Sequence, residues 1–157
     1  MSTGAWVLVV AVVFALAFGL FRALTDGRFR GTRAVHGAAD ATARETEGPA
    51  VESLLTGTPW VDDLGERATL LQFSSAFCAP CRATRRILDD VASSTPGVAH
   101  IEVDAEQHLD VVRRLGILRT PTTIVLSDEG AEVTRATGAP TKQQVLSALG
   151  RAVRHEH

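Results

Sequence analysis

Residues 68–81 read ATLLQFSSAFCAPC, a short apolar run that leads directly into two cysteines in a C-x-x-C arrangement. An apolar run of this length without alternation is the pattern of a strand covered on both faces. From Pro80 the period changes. Cys81, Thr84, Leu88 and Val91 recur at helical spacing beside Ile87, while Arg82, Arg85, Arg86, Asp89 and Asp90 fall on the opposite side, which is an amphipathic helix. The cysteines therefore stand where a strand hands over to a helix. First-turn amides of a helix are unpaired and carry partial positive charge, so a thiolate at Cys78, at the cap, is stabilised. Cys81 lies one turn in and is expected to be the more enclosed, thiol-like partner. Pro80 is tolerated because a first-turn residue needs no donated hydrogen bond, and its ring stiffens the loop.

Downstream, Thr95-Pro96-Gly97 ends the helix and Val98 to Val103 alternates into a second strand. Glu106 to Leu115 reads as a second amphipathic helix closed by Gly116. Thr122 to Leu126 is β-branched, Asp128-Glu129-Gly130 is a turn, and Ala131 to Thr137 is the hairpin partner. Thr141 caps a last helix to Val153, with Val145, Leu146, Leu149 and Val153 at helical spacing. The order strand, helix, strand, helix, hairpin, helix predicts an α/β fold with a mixed central sheet flanked by helices, its first two strands parallel.

Upstream, Ala5 to Phe21 is nearly all Val, Ala, Leu and Phe, and no charged side chain precedes Arg22. Residues 1–24 are expected to form one N-terminal transmembrane anchor, with Trp6 at a headgroup interface. The competing reading is a cleaved signal peptide with Ala15-Leu16-Ala17 as its A-x-A site, but a positively charged start is missing. Residues 25–50 carry Gly, Ala, Thr, Arg and Glu without apolar periodicity, the composition of a flexible linker. His36 within it is given no role. Residues 51–153 remain for one domain and 154–157 for a tail.

Fifteen of the sixteen basic residues are Arg, yet they are spread along the chain and offset to a net charge of −2, so no nucleic acid is expected as a partner. Two cysteines three positions apart are too close to staple a small fold but suit a redox pair. The alternative for such a pair is a metal knuckle or an inert buried pair. Zinc needs two more ligands, and His100, His108, His155 and His157 are not paired at ligand spacing near another cysteine, so no metal is expected. In thiol–disulfide exchange Cys78 attacks a substrate disulfide, and Cys81 then resolves the mixed disulfide and releases the reduced product.

The segment from Leu70 to Val91, centred on FCAPC, resembles the active-site strand and helix of the thioredoxin family. Leu115-Gly116-Ile117-Leu118-Arg119-Thr120-Pro121-Thr122 is similar to the family's loop with a cis-proline opposite the cysteines. The resemblance places the cis bond at Thr120-Pro121 and implies that Thr120 pairs backbone groups with bound substrate. Asp104 and Gly138 also match family positions, and the resemblance covers about Val51 to Val153. It implies a thioredoxin-like fold, a protein-disulfide reductase activity and no cofactor beyond the Cys78–Cys81 disulfide. Implied partners are protein disulfide substrates and an upstream dithiol reductant, with the chain acting as a monomer.

Several residues depart from the family pattern. Gln72 stands where the family has a buried carboxylate that assists proton transfer to the second cysteine, and His100 where a lysine accompanies it. A neutral amide cannot exchange a proton near neutral pH, so His100, water or substrate would have to serve Cys81. Phe77 replaces a tryptophan in the active-site loop, Ser74 a second one, and Ala79 replaces glycine. Alternatives that stay open are an extracytoplasmic oxidant or isomerase, a cytochrome-maturation reductase, and a redox-inactive adaptor of the same fold. Arg22, Arg28, Arg30 and Arg33 follow the apolar segment, so the positive-inside rule sets a single-pass cell-membrane protein with its domain facing the cytoplasm. The extracytoplasmic face is the alternative.

Overall fold

A computed structural model of the chain describes residues 3–25, 29–31 and 53–153. Helix α1 runs Thr3–Thr25, strand β1 Phe29–Gly31, β2 Ala68–Ser74, α2 Ala79–Ser94 and β3 Val98–Asp104. Helix α3 is Leu109–Arg114, β4 Thr122–Ser127, β5 Glu132–Thr137 and α4 Lys142–Ala152. The five strands form one sheet in the order β1-β5-β4-β2-β3. Only β2 and β3 run parallel, joined through α2, and the other pairs are antiparallel. The sheet is mixed, with helices on both faces.

β2 is central, between β3 and β4, and six of its seven residues are buried, which is why it reads as a continuous apolar run. Its side chains alternate between two cores. Ala68 and Leu70 face α2 and α4 in a cluster with Leu88, Val91, Val125, Val145, Ala148 and Leu149. Leu71 and Phe73 face the other side with Leu55, Ile101, Val103, Val111, Ile117, Ile124 and Leu126. Each fully buried Leu or Phe contributes about 1.5–3 kcal/mol of transfer free energy, so both cores hold the strand that delivers the cysteines. On the α3 side the cover is completed by residues 54–64, where Leu54, Trp60 and Leu64 pack against the cluster.

Three stretches differ from expectation. The second helix begins at Leu109 rather than Glu106. Asp104 accepts the Glu106 amide at 2.9 Å and the Gln107 side-chain amide at 2.8 Å, so those residues close a turn on the aspartate instead of opening the helix. Gly116, at φ 62°, ends α3 in the left-handed region that favours glycine.

Within the expected linker, Phe29–Gly31 is a strand on the sheet edge, Phe29 opposite Ala136 and Gly31 opposite Thr134. Phe29 packs against the core shared with α2 and α4. This short strand covers the backbone edge of β5 that would otherwise stand open. The rest of the linker from residue 32 and the tail 154–157 lie outside the described residues.

α1 is a 23-residue helix whose described apolar side chains, Trp6 through Phe21, are exposed. Side chains are described over residues 6–21 of it, and among the described residues no helix is long and apolar enough to cross a membrane.

Candidate active site

Cys78 is the N-cap of α2, its backbone extended at φ −96° and ψ 98°. Its sulfur accepts the Cys81 amide at 3.1 Å, and its carbonyl accepts the Arg82 amide at 3.3 Å. This cap geometry aims an unpaired first-turn donor at the sulfur, which favours the anion once the thiol is released. Cys78 and Cys81 are joined in a disulfide of 2.01 Å, with Cα atoms 5.2 Å apart. The two sulfurs are not equivalent. Cys78 is half-buried and flanked by exposed Ala79 and Pro80, whereas Cys81 is only 2 % exposed. Phe77, immediately before the pair, is fully exposed.

The Thr120-Pro121 bond is cis. Pro121 is buried, and its carbonyl accepts the Gly138 amide at 2.8 Å, where Gly138 takes φ 93° just after β5. Thr120 is tied to the cysteine loop because its hydroxyl lies 3.0 Å from that of Ser75. The fold therefore brings together the C-terminal end of β2, the N-terminus of α2 and the loop entering β4. Ser75 as the link is not legible in the sequence, since a lone serine in a loop carries no long-range signal.

Gln72 is fully buried on the α2 side of the sheet. Its amide donates to the Cys81 carbonyl at 3.0 Å, and its Oε1 has no partner. It sits directly under the second cysteine as a neutral group and offers no proton acceptor at neutral pH.

His100 is placed differently. Its Nδ1 lies 2.6 Å from Asp89, and its cross-strand partner is Leu70 rather than Gln72. Asp89 follows Cys81 by eight residues, about 12 Å along the helix axis at 1.5 Å per residue. His100 thus turns its Nδ1 to the flank of α2 at Asp89 while its Nε2 is buried without a partner, a placement that does not support the expected proton transfer to Cys81.

Two further residues belong to the surroundings of the pair. Thr84 and Thr123 are both fully buried, and their hydroxyls have no partner. Thr123 is the β4 neighbour of Gln72, and Thr84 follows Cys81 by one turn of α2. Both occupy positions that read as apolar in pattern, so only their polar atoms mark them. Among the described residues no group of three or more His, Cys, Asp or Glu side chains could hold a metal ion. His108 instead meets Trp60 edge to face at 4.7 Å, and His155 and His157 lie outside the described residues.

Comparison with known proteins places this arrangement. The thioredoxin family profile matches residues 54–151. Thioredoxin from Mycolicibacterium smegmatis is 31 % identical over 96 residues, covering 59 % of this chain and 85 % of that protein. Thioredoxin H-type 1 from Nicotiana tabacum is 30 % identical over 78 residues, covering 50 % of this chain and 61 % of that protein, less than two thirds of its length. The structure of spinach chloroplast thioredoxin f superposes with a TM-score of 0.54 at 24 % identity, over 68 % of this chain and 98 % of that one. At that identity the likeness speaks for the fold alone.

Proposed function

Because the chain belongs to the thioredoxin family, we propose that it is a protein-disulfide reductase working by dithiol–disulfide exchange through Cys78 and Cys81. The observation that carries this is the asymmetry of the pair. One sulfur is half-exposed at a helix N-cap, and the other is enclosed one turn in. An accessible, dipole-stabilised sulfur suits attack, and a shielded neighbour at C-x-x-C spacing suits resolution. Substrate disulfides would dock over Phe77, Ala79 and Pro80 against Thr120 and Pro121. The redox-active disulfide is then the only redox group required, recharged by an upstream dithiol reductant.

The test is reduction of insulin disulfides by single-cysteine variants. Cys78→Ser abolishes turnover and forms no adduct, whereas Cys81→Ser retains attack and accumulates mixed disulfides with substrate. Equal loss with no trapped adduct in Cys81→Ser would contradict the assigned roles.

We further propose that residues 1–24 anchor the chain in the cell membrane, with the domain on the cytoplasmic side. Support comes from the apolar composition of residues 5–21 and the arginines at 22, 28, 30 and 33, against which stands the lack, among the described residues, of a helix long and apolar enough to cross a membrane. Flotation of the full chain with lipid vesicles tests the anchor, and C-terminal reporter fusions test the face. Sedimentation of the chain away from lipid would remove the anchor. A reporter active only outside the cytoplasm would reverse the topology and make an exported oxidant or isomerase role the working reading.

A further inference from the structure

We infer that Thr84 is a positioning residue for Cys81, its hydroxyl donating a hydrogen bond to the Cys81 sulfur when that sulfur becomes the attacking thiolate. This rests on the exchange reaction proposed above. Thr84 and Cys81 share the buried face of α2, with Thr84 fully buried and Cys81 2 % exposed. Helical side chains three residues apart stand about 5–6 Å from each other at Cβ. They also lean toward the helix N-terminus, so the Thr84 side chain lies over the turn that carries Cys81.

A helical threonine ordinarily returns its hydroxyl to a carbonyl three or four residues earlier. Thr84 Oγ1 makes no such bond and is buried without a partner. A buried hydroxyl left unpaired costs free energy, so its retention on an otherwise apolar face asks for a state in which it is paired.

The neighbouring polar groups narrow that state. Gln72 spends one N–H of its side-chain amide on the Cys81 carbonyl, which holds that amide against the helix backbone, and its free Oε1 can only accept. Thr123 also lacks a partner, but it stands across the β2–β4 pair beside Gln72 rather than on α2. Thr84 therefore supplies the hydroxyl donor on the helix turn next to the buried sulfur. In the disulfide that sulfur is a weak acceptor. Negative charge develops on it only as the mixed disulfide is resolved, and hydrogen bonds to an ionised acceptor are the strong ones. The contact thus favours the Cys81 thiolate over its thiol and raises the fraction ready to attack at neutral pH.

In that step Cys78 carries the substrate sulfur in a mixed disulfide. Cys81 gives its thiol proton to water and its sulfur attacks the Cys78 sulfur. The Cys78–substrate S–S bond breaks with its electron pair on the substrate sulfur, which takes up one proton and leaves as a thiol. The Cys78–Cys81 disulfide forms. Thr84 changes no bond and touches the reacting sulfur only through hydrogen bonding.

The experiment uses the reduced full-length protein in detergent and the aromatic disulfide dithiobis(nitrobenzoate). Attack by Cys78 releases one coloured thiolate, and resolution by Cys81 then releases a second. In Thr84→Val the first phase keeps its rate. The second has its pH midpoint raised by about one unit, as expected for loss of a hydrogen bond to a charged group, and slows about threefold at neutral pH, because the thiolate fraction falls about tenfold while each thiolate becomes about threefold more nucleophilic. Thr84→Ser restores both. Thr84→Ala repeats the measurement should the valine variant fail to fold. A second phase that is unchanged or faster in Val and Ala, with the first phase intact, overturns the inference. Absence of the first phase in the unmodified protein instead sinks the exchange reaction on which it rests.

Discussion

Replacing Gln72 by aspartate puts an ionisable group in the closed space beneath Cys81, and its consequences can be worked from the local geometry. The shorter side chain loses the 3.0 Å bond from the amide to the Cys81 carbonyl, a net loss of about 1 kcal/mol. It also removes one buried methylene, about 0.8 kcal/mol.

The acid itself costs more. Residue 72 is fully buried, so desolvation raises the carboxyl pKa above its unfolded value of about 3.9, and buried carboxyls rise by up to about 3–5 units. A rise of about 3 units corresponds to about 4 kcal/mol at about 1.4 kcal/mol per unit. With the folded pKa above the unfolded one, the unfolded chain releases its proton first as pH rises. The native state then binds more protons through that window, and the variant loses stability from about pH 4 to about pH 7.

The expected destabilisation relative to the parent is therefore about 2 kcal/mol near pH 3 and about 6 kcal/mol near pH 7. Urea unfolding at both pH values, on a chain starting at residue 26 so that β1 is kept, measures the difference. The same acid, once ionised, accepts the Cys81 proton and adds an ionisation to the pH–rate profile of resolution, raising turnover near neutrality. Equal destabilisation at both pH values would refute the reasoning, because the carboxylate would then be reaching water and residue 72 would not be enclosed.

Three other outcomes follow from the same structure. The Cys78 thiol of the reduced protein should titrate below the free-thiol value of about 8.5, since its sulfur faces the Cys81 amide at the helix N-terminus. Thiolate absorbance against pH measures it, and a midpoint at or above the free value would remove the basis for its nucleophilicity. His100→Ala should leave insulin reduction within about twofold of the parent, because its Nδ1 is held by Asp89, eight residues along α2 from Cys81; a tenfold loss would return His100 to the reaction. Leu88→Ala, in the core under α2, should cost about 2–5 kcal/mol in urea unfolding. Leu146→Ala, on the half-exposed side of α4, should stay within about 0.5 kcal/mol, and equal losses would mean that the buried and exposed sides of these helices are misassigned.

What could be read from the sequence follows the range of the forces involved. β2 and α2 were legible because their patterns depend on neighbours two to four residues away: alternation and burial in the strand, the 3.6-residue stripe in the helix. The cap at Cys78 was legible for the same reason, its partner being the amide of Cys81 three residues on. Thr141 capped α4 as its own spacing to Gln144 predicts, with both halves of the capping box formed.

Resemblance supplied the proline, and the fold placed its loop, through Ser75 and Thr120, 45 residues apart. Register alone decided the fate of His100. The alternation of β3 allowed a place near Gln72, and pairing with Leu70 moved it back along α2 to Asp89. β1 carries no strand pattern in three residues and is a strand only because β5 offers an edge to pair with. The chain by itself thus determined where the redox pair sits and what local field it feels. Tertiary structure decided which hydroxyls and amides lie buried around Cys81, because a polar atom such as Thr84 Oγ1 is defined by the partners that packing gives or withholds.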